Sequence, residues 1–144
     1  MTTRVRSTKV HLMSNHYHAL VWMDHREAKI FHINATEADR ELVRSSHPNQ
    51  HLHHKANSGD SGHAPVDRDY LKRVSTALSA AGAILVTGPG SAKTELISYA
   101  KKEDANLAAR IAGVETLDHP TDGALVALAR KFFKADDRMH DQQH

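Results

Sequence analysis

Two hydrophobic periods alternate along this chain. Residues 18–24 (His-Ala-Leu-Val-Trp-Met-Asp) are apolar at successive positions, the pattern of a central strand buried on both faces. A polar link of hairpin length, His25-Arg26-Glu27, leads to a second strand at 28–34. A shorter, more charged third strand at 40–44 belongs nearer a sheet edge. Three strands in succession predict an antiparallel meander. The period then changes. Over 65–81, Leu71, Val74, Leu78 and Ala81 fall on one helix face, and Arg68, Lys72, Arg73 and Thr76 fall on the other. Pro65 and the acids Asp67 and Asp69 suit the first turn of that helix, and Gly82 suits its end.

An apolar strand at 83–87 follows, then Gly88-Pro89-Gly90 as a tight turn, then a helix at 91–103. Residues 106–112 predict a short helix closed by Gly113, and 114–117 a last strand. Thr121 or Asp122 can cap a final helix whose apolar stripe is Leu125, Leu128, Ala129 and Phe132. Strands separated by helices run parallel, so the later ones should lie beside the first. The expected fold is α/β: a mixed sheet with helices on both faces, ribonuclease H-like, in the order β-β-β-α-β-α-β-α. One domain spans 16–135, with a flexible basic leader at 1–15 and a flexible polar tail at 136–144.

The glycine-proline-glycine turn is the first candidate for chemistry. Glycines open backbone geometries closed to other residues, and Pro89 stiffens the turn. With Ser91 as helix cap and Lys93 beside it, the mouth of the turn suits an anion. It is an incomplete phosphate-binding loop, however. Lys93-Thr94 matches the end of that motif, but Ala92 and Thr87 stand where glycines belong.

Composition narrows the classes. The 144 residues contain no cysteine, which removes disulfides, thiolate zinc sites and cysteine catalysis. No apolar run is long enough to span a bilayer, and the first residues lack the apolar region of a signal peptide, so a cytoplasmic protein is expected. The net charge of +2 counts 13 histidines as neutral, and their protonation near pH 6 would make the surface far more cationic.

Five histidines (His47, His51, His53, His54 and His63) gather at 45–65 with Lys55, two glycines, two prolines and almost no apolar residue. Such a segment cannot form a core and predicts a long surface loop. Its histidine spacing matches no usual zinc signature, so no metal and no cofactor is expected. Imidazole and lysine bond phosphates and 2′-hydroxyls, and imidazole stacks on exposed bases, which points to RNA.

An enzyme is the alternative. Asn15-His16-Tyr17-His18 resembles the metal-holding strand of rolling-circle (HUH) nucleases, for which Tyr70 or Tyr99 would serve as nucleophile on single-stranded nucleic acid. Asp24 and Asp118 close the first and last strands as carboxylates do in two-metal nucleases, yet three or four acids together are usually needed. Structural use of both is the stronger expectation, and no catalytic residue is assigned.

Val86-Thr87-Gly88-Pro89-Gly90, with Lys93 and Leu96 to Tyr99, resembles a segment of the central domain of Pelota and the eukaryotic-type peptide-chain release factors. A bacterial group of small translational machinery proteins is more similar still. The resemblance to that group extends over about 18–133 and includes Trp22 to Phe31, His51 to Ala56 with Gly62 to Pro65, and Gly113 to Thr116 with Asp118-His119-Pro120. In the release factors the matching loop carries Gly-Gly-Gln and promotes hydrolysis of peptidyl-tRNA. Here Gly59-Asp60-Ser61-Gly62 stands instead, so the hydrolytic role does not carry over. The resemblance implies a non-catalytic, translation-associated protein that binds the ribosome, rRNA or tRNA. The RNA-binding residues expected are His51, His53, His54, Lys55, His63, Arg68, Lys72, Arg73 and Lys93, with Gly88, Pro89 and Gly90 as a structural turn.

Overall fold

The computed structural model describes residues 18–34, 36–46 and 66–142, with side chains through Lys134. Strands β1 (His18–Met23), β2 (Glu27–Ile33) and β3 (Ala38–Arg44) form the antiparallel meander. Helix α1 (Arg68–Ala77) leads to β4 (Ala83–Gly88), which pairs parallel with β1. Helices α2 (Ala92–Glu103) and α3 (Ala105–Arg110) precede β5 (Ile111–Thr116), parallel to β4, and α4 (Asp122–Gln142) ends the order. The sheet runs β3-β2-β1-β4-β5. The α/β class and the mixed sheet predicted above are therefore observed.

Alternation along each strand divides the core in two. Ala19, Val21, Met23, Ala28 and Ile30 pack with Ile84 and Val86 under α1, α2 and α3. Leu20, Trp22, Phe31, Ile33 and Leu85 pack under α4 through Leu125, Ala129 and Phe133. Central β1 needs apolar residues on both faces because helices cover both.

Several boundaries differ from expectation, each for a local reason. β3 spans seven residues and pairs with β2 along its whole length, longer than the charged 40–44 segment implies. α1 starts at Arg68, with Asp67 in extended backbone before it, rather than at Pro65. The short helix stops at Arg110, and Gly113 lies inside β5 rather than at a helix end. A Cβ on Gly113 would stand 2.8 Å from the Phe132 ring, so that strand position accepts no side chain without a shift. α4 continues to Gln142, past residue 135, because 136–142 contains neither glycine nor proline to stop it.

Polar groups join the helices where their backbones run out of partners. Arg110 donates to the carbonyls of Leu78 and Ala81 after α1, at 2.9 and 2.7 Å. Asp104 caps α3 by accepting from the Leu107 N–H at 3.1 Å, and it also accepts from the Ser75 hydroxyl of α1. Both bonds favour the ionised form and hold its carboxyl below the ordinary value, the Ser75 bond most.

Candidate nucleic-acid interface

The strand directions bring the candidate residues to one end of the sheet. β1, β4 and β5 are parallel, and β3 shares their direction through two antiparallel steps. Their carboxyl ends lie together, and α1, α2 and α4 all begin there. Segment 47–65 leaves after β3 and returns before α1, so both of its roots lie at this end. The Ser45 N–H donates to the Arg26 carbonyl at 2.9 Å, and the Val66 N–H donates to Glu95 Oε1 at 2.7 Å. Glu95 Oε2 also stands 3.6 Å from His25 Nε2, which ties the β1–β2 turn to the start of α2. His51, His53, His54, Lys55 and His63 lie outside the described residues, as do His16 and the 1–15 leader.

The turn Gly88-Pro89-Gly90 is a device of the fold. Gly88 has φ +152°, and a Cβ there would sit 2.1 Å from the Met23 carbonyl oxygen. No other residue lets β4 approach the end of β1 so closely. The Gly88 carbonyl accepts from the Leu117 N–H at 3.0 Å, fixing the exit of β5 as well. Lys93 is buried, and its ammonium donates to the Gly90 carbonyl at 2.6 Å. Ser91 precedes α2 without a side-chain cap bond. The mouth expected for an anion is thus braced from within by its own lysine.

The outward face of α1 is partly committed too. Arg68 reaches Glu103 at 3.1 Å and lies 5.9 Å over the Tyr99 ring. Arg73 donates through Nε to Asp69 at 2.9 Å and through Nη2 to the Ser46 hydroxyl oxygen, 3.4 Å away, at the root of the histidine segment. Lys72 is exposed and has no ion-pair partner among the described residues. It lines a groove of about 720 Å³ between β3 and α1, with Val43, Thr76 and Ala77 also at its walls.

Several described residues of the enzyme alternative make contacts within the fold. Tyr70 is fully buried and donates its hydroxyl to the Asp24 carbonyl at 3.0 Å. Burial first, and then the charge of Asp24, push its phenol far above the ordinary value. Tyr99 lies under Arg68. Asp24 Oδ1 accepts from the N–H groups of Arg26 and Glu27 at 2.8 and 3.0 Å, closing the β1–β2 turn. The Asp118 carbonyl accepts from Trp22 Nε1 at 3.0 Å while its carboxylate is exposed. Among the described residues, no three acids or histidines gather as a metal set. No described helix is long and apolar enough to cross a membrane.

This arrangement defines a five-stranded α/β domain of a kind found in translation factors. The chain has the fold of a domain of Pelota from Archaeoglobus fulgidus, with a TM-score of 0.57, 10% identity, and coverage of 91% of this chain and 36% of that one. It matches Pelota from Thermoplasma acidophilum with a TM-score of 0.51, 20% identity, and coverage of 86% and 36%. It matches an archaeal translation termination factor, aRF1, with a TM-score of 0.54, 14% identity, and coverage of 90% and 40%. The chain therefore spans well under half the length of these proteins. Its sequence matches no protein-family profile and no curated protein.

Proposed function

We propose that this protein is a non-catalytic, translation-associated domain that binds the ribosome through rRNA or tRNA. The observation that carries this is the fold, shared with a domain of Pelota and of a translation termination factor. The chain has no Gly-Gly-Gln, the sequence that promotes hydrolysis in the release factors it resembles, so binding without cleavage is the assigned role. His51, His53, His54, Lys55 and His63 form the RNA-facing segment, flanked by Arg68, Lys72 and Arg73 on α1. Lys93, under its turn, adds positive potential at that end rather than a direct contact. Lys72 makes the strongest phosphate contact on α1 because the fold does not neutralise it.

The test is sedimentation of the native chain through sucrose with and without ribosomes, in growing and stressed cells. Co-migration with ribosomal particles is expected. Joint replacement of His51, His53, His54 and Lys55 by alanine should release the protein and flatten its salt dependence. A chain that stays in the top fractions under both conditions, or a quadruple variant that sediments unchanged, overturns this assignment.

A further inference from the structure

We propose that a small cavity outside the carboxyl end of β1 takes one unpaired guanine base from an RNA strand. This rests on the RNA-binding reading above and adds a site to it. The cavity is about 180 Å³ and is lined by Trp22, Asp24, Arg26, Glu27, Lys29 and His119. It lies between the β1–β2 turn and the connection from β5 to α4. β1 lies at the middle of the sheet, with β2 and β3 on one side and β4 and β5 on the other, and the cavity opens outside its carboxyl end.

Size comes first. Clefts that enclose whole small molecules hold about 300–1,000 Å³, so this one admits a part of a larger ligand. Charge comes second. Two carboxylates face a guanidinium, an ammonium and an imidazole, a balance that favours a neutral group with donors over a bare ion of either sign.

The third point is which groups the fold leaves over. Asp24 Oδ1 is taken by the turn, Lys29 by Asp122 at 3.4 Å, and Trp22 Nε1 by the Asp118 carbonyl. The carboxylate of Glu27 and the guanidinium of Arg26 have no hydrogen-bond or ion-pair partner among the described residues. A carboxylate is a fork of two acceptors, and guanine presents two parallel donors, its ring N–H and its amino group. Arg26 is exposed, where a guanidinium suits the phosphate that follows the base.

His119 supplies a flat face. Its ring lies 5.1 Å from that of Trp22, tilted by 54°, and its side chain is 68% exposed. Single-stranded RNA is bound by stacking splayed bases on such rings while their edges are read by hydrogen bonds.

Trp22 is the single tryptophan of the chain and lines this cavity, so tryptophan fluorescence reports on this part of the protein. The full chain is titrated with three pentaribonucleotides that carry guanine, hypoxanthine or uracil between flanking uridines. Hypoxanthine keeps the ring N–H and lacks the amino group. Guanine should change Trp22 emission and bind about tenfold more tightly than either alternative. Glu27→Gln should remove that preference, and His119→Ala should weaken all three by about tenfold. Emission that ignores all three, or equal affinities in wild type and Glu27→Gln alike, overturns the proposal. Ribosome sedimentation of the same preparations separates the two assignments. A silent Trp22 with intact sedimentation ends the base site alone. A guanine-selective Trp22 response in a chain that never sediments ends the ribosomal assignment and leaves the site standing.

Discussion

Two turns lie at the carboxyl end of the sheet, one after β1 and one after β4, and the fold treats them differently. The Gly88-Pro89-Gly90 turn is absorbed by packing: Gly88 presses on the Met23 carbonyl, and Lys93 bends back to the Gly90 carbonyl. The Asp24-His25-Arg26 turn closes on itself through one carboxylate oxygen and leaves Arg26 and Glu27 facing a cavity. A motif that stands out in a sequence can stand out because the backbone needs it. Groups left over after the backbone is satisfied are the better guide to binding.

The sharpest break of this comparison is Gly88→Ala. Its Cβ would collide with backbone that cannot yield, at a φ that L-residues rarely adopt, so stability should fall by about 3 kcal/mol or more in urea unfolding. Gly90→Ala, two residues on, meets nothing within 4 Å and should change stability by no more than about 0.5 kcal/mol. Equal effects at the two positions would show that the turn is not locked at Gly88.

Lys93→Met comes next. It removes a charge-assisted bond to a carbonyl at the turn and should cost about 1.5–3 kcal/mol. Lys72→Ala should leave stability within about 0.5 kcal/mol and reduce the slope of RNA affinity against salt by about one phosphate contact. A lysine pair with these roles exchanged would reverse the assignment of the two surfaces.

Tyr70→Phe should cost about 1 kcal/mol, since it leaves the Asp24 carbonyl without its donor beneath the β1–β2 turn. A larger loss, accompanied by loss of any nucleic-acid cleavage, would revive a nucleophilic role for this tyrosine.

The smallest effect lies away from both turns. The carboxyl of Asp104 titrates below its ordinary 3.8 in the folded chain, through the Ser75 and Leu107 bonds. A folded pKa below the unfolded one adds stability that is complete above pH 3.8 and is lost as pH falls through the folded value. Urea midpoints taken downward from pH 6 should therefore decline less steeply in Asp104→Asn than in wild type. Parallel curves would remove this group from the acid response.

Much of the architecture was legible in the chain. The unbroken apolar run around Leu20 to Met23 marked a strand covered on both faces, and the stripe Leu71, Val74, Leu78 marked the buried side of α1. Ends were harder to place. Gly113 read as a helix stop because glycine commonly plays that part, whereas the Phe132 ring from the far end of the chain sets its actual role. The candidate surface was legible as residue types and less so as availability. Arg68, Lys72 and Arg73 share a helix face, but only folding brought Glu103 and Ser46 to two of them. The cavity beside Trp22 left no sequence signal, since His119 and Glu27 stand 92 positions apart.

By itself, the order of apolar and polar residues determined the element types, the mixed sheet and the absence of thiol chemistry. Period and composition are local properties, and local properties settle secondary structure. Only the tertiary structure decided which charges stay available, because whether a lysine meets solvent or a carbonyl depends on segments far away in the chain. Lys93 and Lys72 look alike as letters and differ because one is enclosed by its own turn and the other faces open water.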